Sequence, residues 1–193
     1  MNAAALALPS PTELDEFTLE RAKRGDEAAA RSLVIRYQRA VHQLLWRMLE
    51  CSGRGAVVED LAQETFIRVF RALPRFTADG PARLSSWILT IAARLALNEL
   101  RKVPRNTELL DEELPARERT DTESERRQLG QAVRRALANL SPEHRAVLLL
   151  RDVHELAYEE IAQALELELG TVRSRLSRAR AALREELGED ANG

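Results

Sequence analysis

The 193-residue chain has a single cysteine, Cys51, so no internal disulfide framework and no cysteine-rich zinc site can be built. Its three histidines, His42, His144 and His154, are too scattered to offer metal-ligand spacing. Aromatics make up only 4%, and there are just 8 glycines and 7 prolines. A chain this poor in ring and turn residues and rich in Ala, Leu, Arg and Glu suits helices far better than strands. No apolar run approaches the length needed to span a membrane. Residues 1–11 are Ala/Leu-rich but lack a basic segment and run into Glu13, Asp15 and Glu16, unlike a signal peptide. The expectation is therefore a soluble, cytoplasmic protein with no membrane partner. The net charge of −2 provides no global field for nucleic acid, so any such attraction must be local. No catalytic constellation and no cofactor or metal motif is visible, which argues against an enzyme.

Apolar periodicity and punctuation predict an all-α protein. A short helix over about 12–24 stops at Gly25, and Asp26 caps a longer one reaching 49, with Leu33, Tyr37, Val41, Leu44, Leu45 and Met48 on its inward face. A break at 51–55 precedes a helix over 57–73, ended by Pro74, and a loop leads to a fourth helix over 84–102. Between Asn106 and Glu125 the character changes: eight acids stand against Arg117 and Arg119, a net of −6, with Pro115 inside. This reads as a flexible acidic linker. Helices follow over 124–139 and from Ser141, an N-cap with Pro142 in the first helical position. The boundaries are a flexible N-terminus 1–11, a first domain 12–103, the linker 104–123, a second domain 124–187 and a flexible tail 188–193.

The second domain carries the most informative pattern. A short amphipathic helix over 158–165, a tight connection and a second helix from Gly170 have helix-turn-helix spacing. At 100° per residue, Val172, Leu176, Ala179 and Leu183 form a buried stripe. Arg173, Ser177, Arg180 and Arg184 lie on one flank of the outer arc, and Thr171, Ser174, Arg175 and Arg178 on the other. Between Gly170 and Leu183 there are four arginines and no acid, groups able to fork onto guanine or clamp phosphate. Thr171, Arg173, Ser174, Arg175, Ser177 and Arg178 are the candidate DNA contacts. A weaker cationic patch, Arg83, Arg94, Arg101, Lys102 and Arg105, follows the fourth helix. Asp60, Gln63, Glu64 and Arg68 lie on the outward face of the third helix, either as a solvated face or as a protein-docking surface.

In combination, the segments 60–70, 87–92, 158–162 and 170–180, with the Gly25–Asp26 turn and the Leu140–Glu143 helix start, resemble the extracytoplasmic-function group of bacterial RNA polymerase sigma factors across about residues 12–187. The resemblance implies a non-enzymatic promoter-specificity subunit. Its first domain (region 2) would dock on the β′ clamp helices of core RNA polymerase through Asp60, Gln63, Glu64 and Arg68. That domain would also recognise the −10 element through Arg94, Asn98, Arg101 and Lys102. The second domain (region 4) would read the −35 element and meet the β flap. Promoter DNA and an anti-sigma factor are the other implied partners, and no cofactor is implied. Many relatives have Asn at the position of Arg94, Asp at that of Asn98, Gly at that of Glu166, and Ser or Thr at that of Ala157. The loop 76–87 is about two residues longer than in well-known relatives. A stand-alone helix-turn-helix regulator is the alternative reading. A recombinase would need a nucleophile within an arginine cluster on an α/β core, for which the sequence offers no pattern.

Overall fold

A computed structural model describes residues 13–77, 83–102 and 121–190. The linker segment 103–120, the N-terminal twelve residues and most of the loop before the fourth helix lie outside these. The described residues form eight α-helices and no strand: α1 (Glu16–Lys23), α2 (Glu27–Leu49), α3 (Val58–Ala72), α4 (Leu84–Arg101), α5 (Asp121–Ala138), α6 (Pro142–Leu148), α7 (Tyr158–Leu165) and α8 (Leu169–Asp190). Helix α5 starts three residues before the expected boundary, and α8 continues three residues past 187. A π-turn, Leu149–Val153, extends α6.

Local chemistry accounts for the helix ends. Asp15 and Asp26 accept hydrogen bonds from the N–H groups of Thr18 and Ala29, at 2.9 and 2.8 Å, satisfying orphan donors of α1 and α2. Gly25, at φ +84°, makes the left-handed step between these helices. Ser141 accepts from the N–H of His144 as the expected cap of α6. Arg83 gives α4 no side-chain cap; Glu13 does so from outside, accepting from the N–H and hydroxyl of Ser85. The Tyr37 hydroxyl donates to the same carboxylate at 3.2 Å and accepts from Leu14 N–H at 3.0 Å, tying the start of the described chain to α2 and α4.

Helices α1–α4 pack as one bundle and α5–α8 as another, but the two share a continuous apolar core. Helix α4 lies at the join, with α2 and α3 on one side and α6 and α7 on the other. Arg145 on α6 is 2% exposed and crosses this join. Its guanidinium donates to the carbonyls of Leu137, Ala138 and Leu140 at 2.8, 3.2 and 3.1 Å, to that of Met48 at 2.6 Å, and to the Ser52 hydroxyl at 3.2 Å. These carbonyls lie at or just beyond the C-terminal ends of α5 and α2, where orphan acceptors and the negative end of the helix dipole favour a cation.

His154 is buried at the same join. Burial, with the positive charge of Arg47, lowers its pKa from 6.5 to about 4. Cys51 lies nearby, its Sγ 3.6 Å from the carbonyl of Arg134, and burial raises its pKa. A thiol so placed is a poor nucleophile at neutral pH.

Two stability predictions follow from the join. Removing the guanidinium in Arg145→Ala strands several buried carbonyls and should cost at least about 3 kcal/mol in chemical denaturation. Because folding depresses the His154 pKa, the unfolded chain takes up that proton first. Its contribution is complete above pH 6.5 and declines towards pH 4, by up to about 1.4 kcal/mol per unit. Thermal melting between pH 7 and 5 should show this slope, and His154→Leu should flatten it.

Candidate nucleic-acid interface

The helix-turn-helix is formed by α7 and α8. The turn is left-handed at Glu166 (φ 54°, ψ 50°), the position at which the family resemblance implied glycine. Leu167 N–H reaches back to the Ala162 carbonyl at 2.9 Å, and Glu166 N–H to that of Gln163 at 3.4 Å, closing a Schellman-type end. At the other end of α7, Ala157 supplies no capping oxygen, but the Glu160 carboxylate accepts from its N–H at 2.7 Å. That is half of a capping box.

Helix α8 is seated by the expected stripe: Val172, Leu176, Ala179 and Leu183 are all buried. Opposite them, Arg173, Ser174, Ser177 and Arg178 are exposed, and Thr171 and Arg175 are half-buried. The Ser174 hydroxyl donates to the Thr171 carbonyl at 3.0 Å. All six candidate residues for −35 DNA thus occupy the outer arc or its edges.

A notch of about 260 Å³ lies beside this arc, lined by Tyr158, Arg173, Leu176, Ser177, Arg180 and Arg184. Asp152, on the π-turn after α6, holds Arg180 by a two-pronged contact, Nε to Oδ2 at 2.9 Å and Nη2 to Oδ1. This positions Arg180 instead of leaving it to sweep through solvent. Neither Asp152 nor Tyr158 was expected at the site. Both precede α8 in sequence and meet it only through packing, so periodicity along α8 could not reveal them.

The second cationic face runs along α4. Arg94, Asn98, Arg101 and Lys102 are all exposed and share one side of the helix by their spacing. Two of them have protein partners. Lys102 pairs with Glu99, and its carbonyl accepts from Arg54 at 2.8 Å. Arg94 donates to carbonyls of α7 and pairs with Glu166 at 3.1 Å.

On α3, Asp60, Gln63 and Arg68 are exposed and Glu64 is half-buried. Arg68 Nε donates to Glu64 at 2.6 Å. Gln63 also borders a groove of about 510 Å³ between α2 and α3, with Val34, Gln38, His42, Glu59, Ala62 and Phe66. Exposed Ile35 and Ile67 are carried by the same two helices. The α2 half of this surface was not anticipated, although Ile35 falls outside the inward-facing series of its helix. Among the described residues there is no group of side chains suited to a metal ion, and no helix is long and apolar enough to cross a membrane.

Comparison with known proteins matches these two halves separately. Residues 33–105 match sigma-70 region 2, and residues 130–183 match sigma-70 region 4. The chain is 37% identical over 179 residues to the ECF RNA polymerase sigma factor SigE of Mycolicibacterium smegmatis, covering 87% of this chain and 66% of that protein. It is 32% identical over 185 residues to the RNA polymerase sigma-H factor of Pseudomonas aeruginosa, covering 89% of this chain and 92% of that one. Among solved structures it shares its fold with CnrH in complex with the cytosolic domain of CnrY, at a TM-score of 0.62 and 23% identity over 91% of this chain and 98% of that one. It also shares the fold of the sigma factor RpoE from Bartonella quintana in complex with the anti-sigma factor NepR, at a TM-score of 0.60 and 22% identity over 82% and 96%. With both helical units matched in order and the Pseudomonas aeruginosa relative aligned across 92% of its length, the chain belongs to the extracytoplasmic-function group of RNA polymerase sigma factors.

Proposed function

We propose that this chain binds core RNA polymerase and directs transcription initiation by reading −10 and −35 promoter elements. The observation that carries the reading is the division of surfaces. An arginine- and hydroxyl-rich arc on α8 is held outward by a fully buried stripe, while a mixed acidic and amide surface on α3 borders an apolar groove. The first suits a phosphate-lined groove. The second suits a protein, because its carboxylates would repel DNA and its groove offers apolar area to bury.

In this reading Thr171, Arg173, Ser174, Arg175, Ser177 and Arg178 contact the −35 element. The notch beside them takes a backbone phosphate on Arg173 and Arg184, with Arg180 fixed by Asp152. Arg94, Asn98, Arg101 and Lys102 serve the −10 element, and Asp60, Gln63, Glu64 and Arg68 meet the β′ clamp helices. The second domain also meets the β flap. The polymerisation chemistry belongs to the polymerase, and the protein works in the cytoplasm. An anti-sigma partner is supported by the two solved relatives, each captured with a second protein. A stand-alone helix-turn-helix regulator is not favoured, because it leaves the region 2 match over residues 33–105 without a role.

The test is co-purification with bacterial core RNA polymerase, followed by transcription from genomic fragments with and without the chain. Association and new discrete start sites are expected; DNA binding with no association would overturn the reading. Arg173→Ala or Arg178→Ala should weaken promoter binding about tenfold while leaving polymerase association intact. Gln63→Ala combined with Glu64→Ala should weaken association and spare DNA binding by the isolated chain. Equal effects of both sets on one step would contradict the division of surfaces.

A further inference from the structure

We propose that Asp152 is a positioning residue of the −35 site: an acid beside the DNA-facing arc that strengthens DNA binding by aiming Arg180 at a backbone phosphate. The inference rests on the function proposed above and adds two residues to it, Arg180 as a phosphate contact and Asp152 as its guide. Arg180 lies on the same flank of α8 as Arg173, Ser177 and Arg184, a row roughly 16 Å long, and all four line the notch.

Asp152 holds one edge of this guanidinium. Nε donates to Oδ2 at 2.9 Å and Nη2 to Oδ1, which fixes the plane of the fork and leaves its other N–H groups directed away from the carboxylate. The two side chains are unequally covered, Asp152 being 15% exposed and Arg180 42%. The acid is therefore the sheltered partner and the cation the presented one; Arg180 lines the notch and Asp152 stands behind it. The hydrogen bond to Asp152 outweighs burial and raises the Arg180 pKa, with the Tyr158 hydroxyl adding to the effect.

The support behind the pair is built from the same turn. Arg151 and Asp152 are neighbours on the π-turn, where His154 N–H reaches past the usual α-helical partner to the Leu149 carbonyl at 3.1 Å. Arg151 places its guanidinium over the Tyr158 ring, 5.1 Å from the centroid, and donates Nη1–H to the Leu156 carbonyl at 2.8 Å. Tyr158 in turn lines the notch and hydrogen-bonds Arg180. Two consecutive residues thus brace the wall of the notch and aim the cation in it.

The electrostatic sign makes the assignment sharp. By charge alone, a carboxylate near DNA repels phosphate, and its removal should tighten binding. A free arginine, however, loses much rotamer freedom when it meets a phosphate. The grip of Asp152 has already removed that freedom in the unbound protein. The half-exposed pair contributes little to folding by itself, so its main effect is orientation. Because Arg180 neutralises the carboxylate at short range, orientation outweighs repulsion, and loss of this acid weakens the DNA complex.

Fluorescence anisotropy of the full chain with a labelled random-sequence DNA duplex at low salt tests this, since a phosphate contact is made in any sequence. Wild type is compared with Asp152→Asn, Arg180→Ala and the double variant. Arg180→Ala should weaken binding about tenfold, and Asp152→Asn about threefold although it makes the chain more positive. In the Arg180→Ala background, Asp152→Asn should weaken binding no further, a result that a merely structural role would not give. Tighter or unchanged binding by either single variant overturns the proposal, and so does a comparable loss from Asp152→Asn with and without Arg180. If Asp152→Asn loses its helical circular dichroism, Arg180→Lys, which keeps the charge but not the two-pronged grip, decides in its place. A loss near that of Arg180→Ala then supports the proposal, and wild-type affinity overturns it. Failure of the wild type to bind duplex at all would overturn the −35 reading itself, and this inference with it.

Discussion

Helix α4 cannot be satisfied by one neighbour. It buries Leu84, Ser85, Ser86, Ile88, Leu89, Ala92, Ala93, Leu95, Ala96 and Leu97, more than half of its length and more than one face. A helix with so wide an apolar surface must be covered on two sides or leave hydrocarbon in water. Helices α2 and α3 cover one side, and α6 and α7 cover the other. Three alanines on α4 let neighbouring backbones approach closely, which is how four helices fit around one. The shared core of the two domains follows from this single element, as does the position of the helix-turn-helix beside the −10 face.

Polar groups at the join, and one pair within the first bundle, are arranged around helix ends. Arg145 collects carbonyls from α5 and α2, Arg94 those of α7, and Arg54 that of Lys102 after α4. In each case a guanidinium replaces the water or glycine turn that would otherwise satisfy a C-terminus. Arginine suits this use because its charge persists at all ordinary pH and its five donors spread across several acceptors. The join is thus fixed in direction by hydrogen bonds as well as filled by side chains, and interdomain geometry is specified more sharply than apolar burial alone would allow.

The features legible in the sequence were the local ones. Asp26, Ser141 and Pro142 announced helix starts, Gly25 announced a turn, and the 3.6-residue period of Val172, Leu176, Ala179 and Leu183 placed the buried stripe of α8. Each depends on contacts within a few residues or on one helix face. What the sequence concealed depends on distant partners. Arg145 looks like a surface arginine until Met48, 97 positions away, is brought to it. Arg94 looks like a free promoter contact until Ala164, 70 positions away, accepts its hydrogen bond. The Asp152–Arg180 pair spans 28 residues and a π-turn that no local pattern marks. The departures at positions 94 and 166 were each visible alone, but their pairing was not.

Cys51 gives the join an internal clock. Its sulfur sits against the Arg134 backbone of the other domain, sheltered and with its thiolate disfavoured by burial. Parting of the two halves would wet the sulfur and restore an ordinary thiol. It is the chain's sole cysteine and is half-buried while the halves are together, so parting of the join would raise its alkylation rate above that baseline.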